Sequence, residues 1–171
     1  MIYVCPLSKV DETVVRSGAE RLVSLLTAGT EVVRPTAITA ENHLLLSMND
    51  IAEAQAGMTL PGEAHVRQLL DFTRAWDRAR PLVIHCFAGI SRSTASAYIV
   101  ASALAPQRDE MELAKELRWL SPSATPNPRL IAVADTLLGR DGRMIAAIKG
   151  IGRGADAFEG TPFALEIEGF R

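Results

Sequence analysis

The stretch Val83-Ile84-His85-Cys86-Phe87-Ala88-Gly89-Ile90-Ser91-Arg92-Ser93-Thr94 constrains this chain more than any other. It reads as a buried strand, a tight loop carrying one cysteine, and a helix that starts near the arginine. Five residues separate Cys86 from Arg92. A loop of that length curls so that the backbone N–H groups of Phe87, Ala88, Gly89, Ile90, Ser91 and Arg92 point inward. With the N-terminus of the following helix they form an anion-binding cradle. Arg92 adds a planar, always-charged fork that matches two oxygens of a phosphate. Cys86 lies at the base of this positive bowl, which favours its thiolate form. A thiolate under a bound phosphate points to nucleophilic catalysis, with a plain buried cysteine at a strand end as the bland alternative.

The run His85-Cys86-Phe87-Ala88-Gly89-Ile90-Ser91-Arg92-Ser93 resembles the signature of the cysteine-dependent protein tyrosine phosphatases: His-Cys, five residues, Arg, Ser/Thr. The inner Ala-Gly-x-Ser-Arg-Ser is most similar to the dual-specificity branch, in its small bacterial-type form. The resemblance implies a cysteinyl-phosphate intermediate on Cys86, with Arg92 and the loop amides holding the transferring group. It also implies that Ser93 donates a hydrogen bond to the cysteine sulfur and that His85 braces the loop. The family takes its general acid from an Asp on a loop upstream of the signature, after a strand. Asp50-Ile51, following the strand His43 to Met48, is the preferred match, ahead of Glu53, Asp71 or no carboxylate at all, with a turn-forming Asp at a strand end as the plain alternative. No Trp-Pro precedes Asp50, so the acid loop is not of the receptor type. The turn Ser121 to Arg129 resembles a Pro-Asn element of the dual-specificity domain, with Asn127 in the Asn position; helix capping explains Asn127 equally well. The resemblance spans about Ile2 to Leu138 and leaves residues 139–171 as an unmatched C-terminal extension.

Composition sets the outer limits. A chain of 171 residues, 48% hydrophobic and 22% charged, suits one globular domain with a sizeable core. A net charge of −2 with no basic run gives no footprint for nucleic acid or a membrane surface. Two cysteines, Cys5 and Cys86, do not make a disulfide framework. The first residues lack the pattern of a signal peptide, and a reducing cytoplasm is the expected location.

Taken in order, Ile2 to Cys5 reads as a strand stopped by Pro6, and Ser8 as the cap of a helix to Arg16 that ends at Gly18. Arg21 to Leu26 reads as a strand, with a helix as the alternative. Glu31-Val32-Val33 is a candidate short strand within a polar connection. A helix follows from Glu63 to about Arg78, then a strand from Pro81 into the signature. The small, apolar helix after Arg92 is expected to pack centrally on a sheet. Amphipathic helices are expected over Asp109–Leu120, 129–138 and 142–148, and an edge strand within 162–167. Strands alternating with helices give an α/β fold, a single domain over residues 1–171, with a central, mostly parallel sheet flanked by helices. Ligands of such sheets bind outside the carboxyl ends of the strands, where the signature loop lies between a central strand and a helix.

None of the loop positions Phe87 to Ile90 is basic, which suits a phosphomonoester on an apolar or aromatic group, such as phosphotyrosine in a protein. No cofactor is expected. His43 and His65 share no ligand spacing, so no metal is expected either. The glycine-rich stretch Gly150 to Gly154 does not follow a strand and is not read as a nucleotide loop. Trp76 and Trp119 are read as core. The rivals to a phosphatase are a rhodanese-type sulfurtransferase, a catalytically silent phosphate- or phosphoprotein-binding module, and a mainly structural protein. Oligomeric state is left open.

Overall fold

The computed structural model describes residues 1–169. Its centre is a five-stranded sheet in the order β3-β2-β4-β1-β5, with β1 Ile2–Pro6, β2 Arg21–Leu26, β3 His43–Ser47, β4 Leu82–Cys86 and β5 Phe163–Leu165. The first four strands run parallel, and β5 pairs antiparallel with the edge of β1. Strand β4 is buried along its whole length, as expected of a central parallel strand, and its one polar residue, His85, is buried with hydrogen-bond partners.

Period-2 alternation divides the sheet into two faces. Ile2, Val4, Val23, Leu25, Ile84 and Cys86 face the larger core, which is built with helices α2 Glu63–Arg74, α3 Arg92–Leu104, α4 Glu110–Leu120, α5 Pro128–Leu137 and α6 Arg143–Ile151. Cys5, Leu22 and Val83 face a smaller core under α1 Val10–Ser17, completed by Ile38 from the long connection. Helix α3 is buried on nearly every side. Its Ala and Ser side chains let the sheet and the neighbouring helices approach closely. Among the described residues, no helix is long and apolar enough to cross a membrane.

Four local expectations change. Ser8 does not cap α1; it lies in a 3₁₀ turn, Leu7–Lys9, and its hydroxyl donates to Glu159 at 2.8 Å. Glu31 to Val33 forms no strand: Val33 is 82% exposed and Pro35 follows, so this segment has neither a face to bury nor an edge to join. Helix α2 stops at Arg74 rather than continuing to Arg78, whose backbone φ of 63° breaks a helix. Trp76, just beyond the helix end, is nevertheless buried and donates to the Arg80 carbonyl at 2.9 Å. Trp119 is 73% exposed. It follows Leu117 by two positions, about 200° around the helix, and so leaves the face on which Leu113, Ala114 and Leu117 are buried. The run Arg21–Leu26 is a strand, not a helix.

Candidate active site

Strand β4 ends at Cys86 and α3 begins at Arg92, so the loop between them opens at the carboxyl edge of the sheet. Four outward carbonyls of this loop each accept a backbone N–H from another part of the chain. Leu7 N–H donates to Phe87 O (3.0 Å), Gly160 to Ala88 O (2.8 Å), Thr125 to Ile90 O (2.9 Å) and Asn127 to Ser91 O (3.3 Å). In a trans peptide the carbonyl and the next N–H point in opposite directions. With those carbonyls held outward, the N–H groups of Ala88, Gly89, Ser91 and Arg92 turn to the concave side, a nest for an anion. The tight curl needs Gly89: its φ is +71°, and a Cβ there would lie 2.7 Å from the Pro6 nitrogen.

Cys86 is buried at the floor of the nest, its sulfur 3.1 Å from the Ser93 hydroxyl. Arg92 is 6% exposed and donates one guanidinium N–H to the Met48 carbonyl at 2.8 Å. Among the described residues its Nε has no hydrogen-bond partner, and no carboxylate forms an ion pair with it. A buried cation without a counter-charge is costly until an anion arrives.

Asp50 lies at the same mouth. Its Oδ1 accepts from the Ser91 hydroxyl and from the Asn127 side-chain amide, both at 2.8 Å. The Asn127 Oδ1 meanwhile accepts from Arg129 and Leu130 N–H groups and caps α5. Asn127 thus caps α5 with one end and contacts Asp50 with the other. Glu53 is exposed in the loop beyond Asp50, and Asp71 pairs with Arg74 on α2. Phe87 projects from the rim, 59% exposed.

His85 is fully buried on the opposite face of the sheet from Cys86. Its Nδ1 is 3.2 Å from the Cys86 carbonyl, which only accepts, so Nδ1 carries the proton. Its Nε2 then accepts from the Ser24 hydroxyl at 2.6 Å, and Ser24 accepts from His43 Nε2–H at 2.9 Å. Burial pushes the His85 imidazole down to about 4, so the ring is neutral and this donor order is fixed. Burial lowers His43 as well. Ser24 and His43 were not singled out for the site from sequence; a serine interrupting Leu22-Val23-Ser24-Leu25-Leu26 was the available signal. Among the described residues no group of three or more His, Cys, Asp or Glu is arranged to hold a metal.

The architecture has close counterparts among solved structures. DUSP15 superposes with a TM-score of 0.64 at 17% identity, over 87% of this chain and 90% of that one. A mouse putative dual specificity phosphatase complexed with zinc tungstate gives 0.62 at 16%, over 86% of each chain. A human tyrosine phosphatase-like serine/threonine/tyrosine-interacting protein gives 0.60 at 14%, over 82% of this chain and 92% of that one.

The fold is that of the dual-specificity phosphatases.

No protein-family model matches the chain, and no curated protein matches it in sequence. At these identities the likeness concerns the dual-specificity phosphatase fold; the chemistry rests on the residues within it.

Proposed function

We propose that this protein is a phosphomonoester hydrolase, a protein tyrosine or dual-specificity phosphatase working through a cysteinyl-phosphate. The observation that carries this reading is Arg92, a buried guanidinium without a carboxylate partner among the described residues, beside a cysteine floored in a nest of inward N–H groups. Substrate phosphate would supply the missing anion. The Cys86 thiolate attacks phosphorus, the P–S bond forms, and the P–O bond to the leaving group breaks. Arg92 and the loop amides hold the equatorial oxygens through this step. Asp50 gives a proton to the departing oxygen. It then takes one from the water that displaces Cys86, while Ser93 donates to the leaving sulfur. Two donors fix Asp50 Oδ1, which leaves Oδ2 to carry that proton. Phe87 at the rim and the lack of basic residues from Phe87 to Ile90 favour an aromatic phosphomonoester, phosphotyrosine above all. A thiolate nucleophile suits a reducing compartment, and we place the protein in the cytoplasm.

A second reading is a phosphate- or phosphoprotein-binding module without turnover. It draws support from the same Asp50 contacts, since an acid tied to two neighbours can serve simply as a strut. Hydrolysis of p-nitrophenyl phosphate in EDTA and reductant separates the two. Activity is expected from wild type, falling by at least about a thousandfold in Cys86→Ser. Full activity in Cys86→Ser overturns the mechanism; inactive wild type that still binds vanadate leaves the binding module.

A further inference from the structure

The segment after α6 runs back across the phosphate loop. It is tied down at its start, where Gly154 N–H donates to Thr125 Oγ1 (3.1 Å) and Ala155 N–H to Pro122 O (2.9 Å). There is no room for a side chain at Gly154, since a Cβ would lie 2.6 Å from the Ser123 carbonyl. Arg118 reinforces this start, donating to Ile151 O, Gly152 O and Ala124 O, each at 2.8 Å. At the far end Gly160 N–H caps the Ala88 carbonyl at 2.8 Å. Here too backbone meets backbone: a Cβ on Gly160 would lie 2.9 Å from the Gly89 oxygen. Strand β5 follows and pairs with β1, whose end leads into the Leu7 clamp on Phe87.

From these contacts, and resting on the phosphate-loop reading above, we infer that residues 154–160 are a strap that sets the geometry of the anion nest, with Gly160 as its positioning residue. The Gly160 bond holds the Ala88 carbonyl outward and so aims the Gly89 N–H at the bound oxyanion. The strap's start also secures the turn that carries Thr125, the clamp on Ile90. Two of the four carbonyl clamps therefore depend on a part of the chain beyond the stretch, about Ile2 to Leu138, whose sequence resembles the phosphatase domain. Gly160 is not in the left-handed region, so alanine there has no backbone penalty. Its sole fault is the methyl against Gly89 O, which makes the substitution a clean probe.

Gly160→Ala is expected to weaken vanadate binding and to lower kcat on p-nitrophenyl phosphate, each by roughly tenfold or more, with a smaller change in KM. Its thermal midpoint should fall by a few degrees, since the methyl meets backbone and one of the two must shift, while the protein stays folded at the assay temperature. Lys115→Ala, which cuts only the exposed pair with Glu112 on α4, should leave both readouts within about twofold. Should Gly160→Ala fail to fold, amide exchange of the wild type supplies the test. Gly160 should be protected in the free protein and further slowed by vanadate, and an amide indifferent to vanadate overturns the strap. Wild-type activity and vanadate affinity retained in Gly160→Ala overturn the strap and leave the phosphatase reading standing. A wild type that binds vanadate without turnover, and loses that binding in Gly160→Ala, overturns the phosphatase reading and keeps the strap.

Discussion

The loop from Cys86 to Arg92 and the loop from Asn49 to Pro61 meet at Asp50, but one is enclosed by backbone and the other lies open to water. In the first, four carbonyls are clamped, and at Gly89 even a methyl has no space. In the second, residues 52–59 are exposed, and a Cβ on Gly57 would touch nothing within 4 Å. Its internal ties are few: Asn49 N–H to Thr59 O (2.9 Å), Thr59 N–H to Asn49 Oδ1 (2.8 Å) and Met58 N–H to Gln55 O (3.2 Å). The contrast fits the roles proposed for the two loops. Under the proposed mechanism, stabilising a transferring phosphoryl group would require donors fixed before the reaction, whereas an acid would have to let substrate in and product out.

This division of labour can be broken at the fixed loop first. Arg92→Lys keeps the charge but loses the planar fork; kcat on p-nitrophenyl phosphate should drop by about 10²–10³, together with vanadate affinity. Next comes the acid. Asp50→Asn should lower kcat by about a hundredfold while vanadate affinity stays within about twofold, as a titration beside steady-state kinetics would reveal. Parallel loss of both would mean that Asp50 shapes the nest rather than supplies a proton.

A third test concerns stability. His85 has a folded pKa of about 4 against an ordinary 6.5, so below pH 6.5 the unfolded chain takes up a proton that the native protein refuses. Stability is therefore fully present above pH 6.5 and is lost as pH falls from there towards 4. The loss is of order 3 kcal/mol. Thermal melts across that window should show the slope in wild type and a shallower one in His85→Asn. The smallest effect belongs to the open loop: Asn49→Ala removes its side-chain tie to Thr59 and should reduce kcat only severalfold, with vanadate binding unchanged.

The same contrast explains what could be read from sequence. Cys86, Arg92 and Ser93 lie within eight consecutive residues, so local spacing alone brings sulfur, guanidinium and hydroxyl together. The parallel sheet was legible for a similar reason, each strand being a short apolar run bounded by polar or turn residues. Asp50 was chosen by resemblance, but its partners Ser91 and Asn127 lie 41 and 77 residues away, and only the folded chain pairs them. The Ser24–His43 extension of His85 depends on strand order: Ser24 sits opposite His85 because β2 neighbours β4. Gly154 and Gly160 carry no local signal, because they are needed for close approach to another part of the backbone, which leaves no periodic pattern. Trp119 misled because a large aromatic on an amphipathic helix looks like core until the buried face is fixed by Leu113 and Leu117.

The alternation of side chains along β1 and β4 has a consequence for oxidative damage. Cys5 is paired with His85, so its side chain points into the smaller core, while Cys86, one residue on, faces the other side of the sheet. Burial also pushes the Cys5 thiol up to about 12, leaving it protonated and unreactive. If peroxide converts Cys86 to a sulfenic acid, the chain's only other cysteine is on the wrong side to resolve it as a disulfide. Protection then falls to an external thiol or to capture by a neighbouring backbone N–H as a sulfenamide, and without either Cys86 proceeds to the irreversible sulfinic and sulfonic acids.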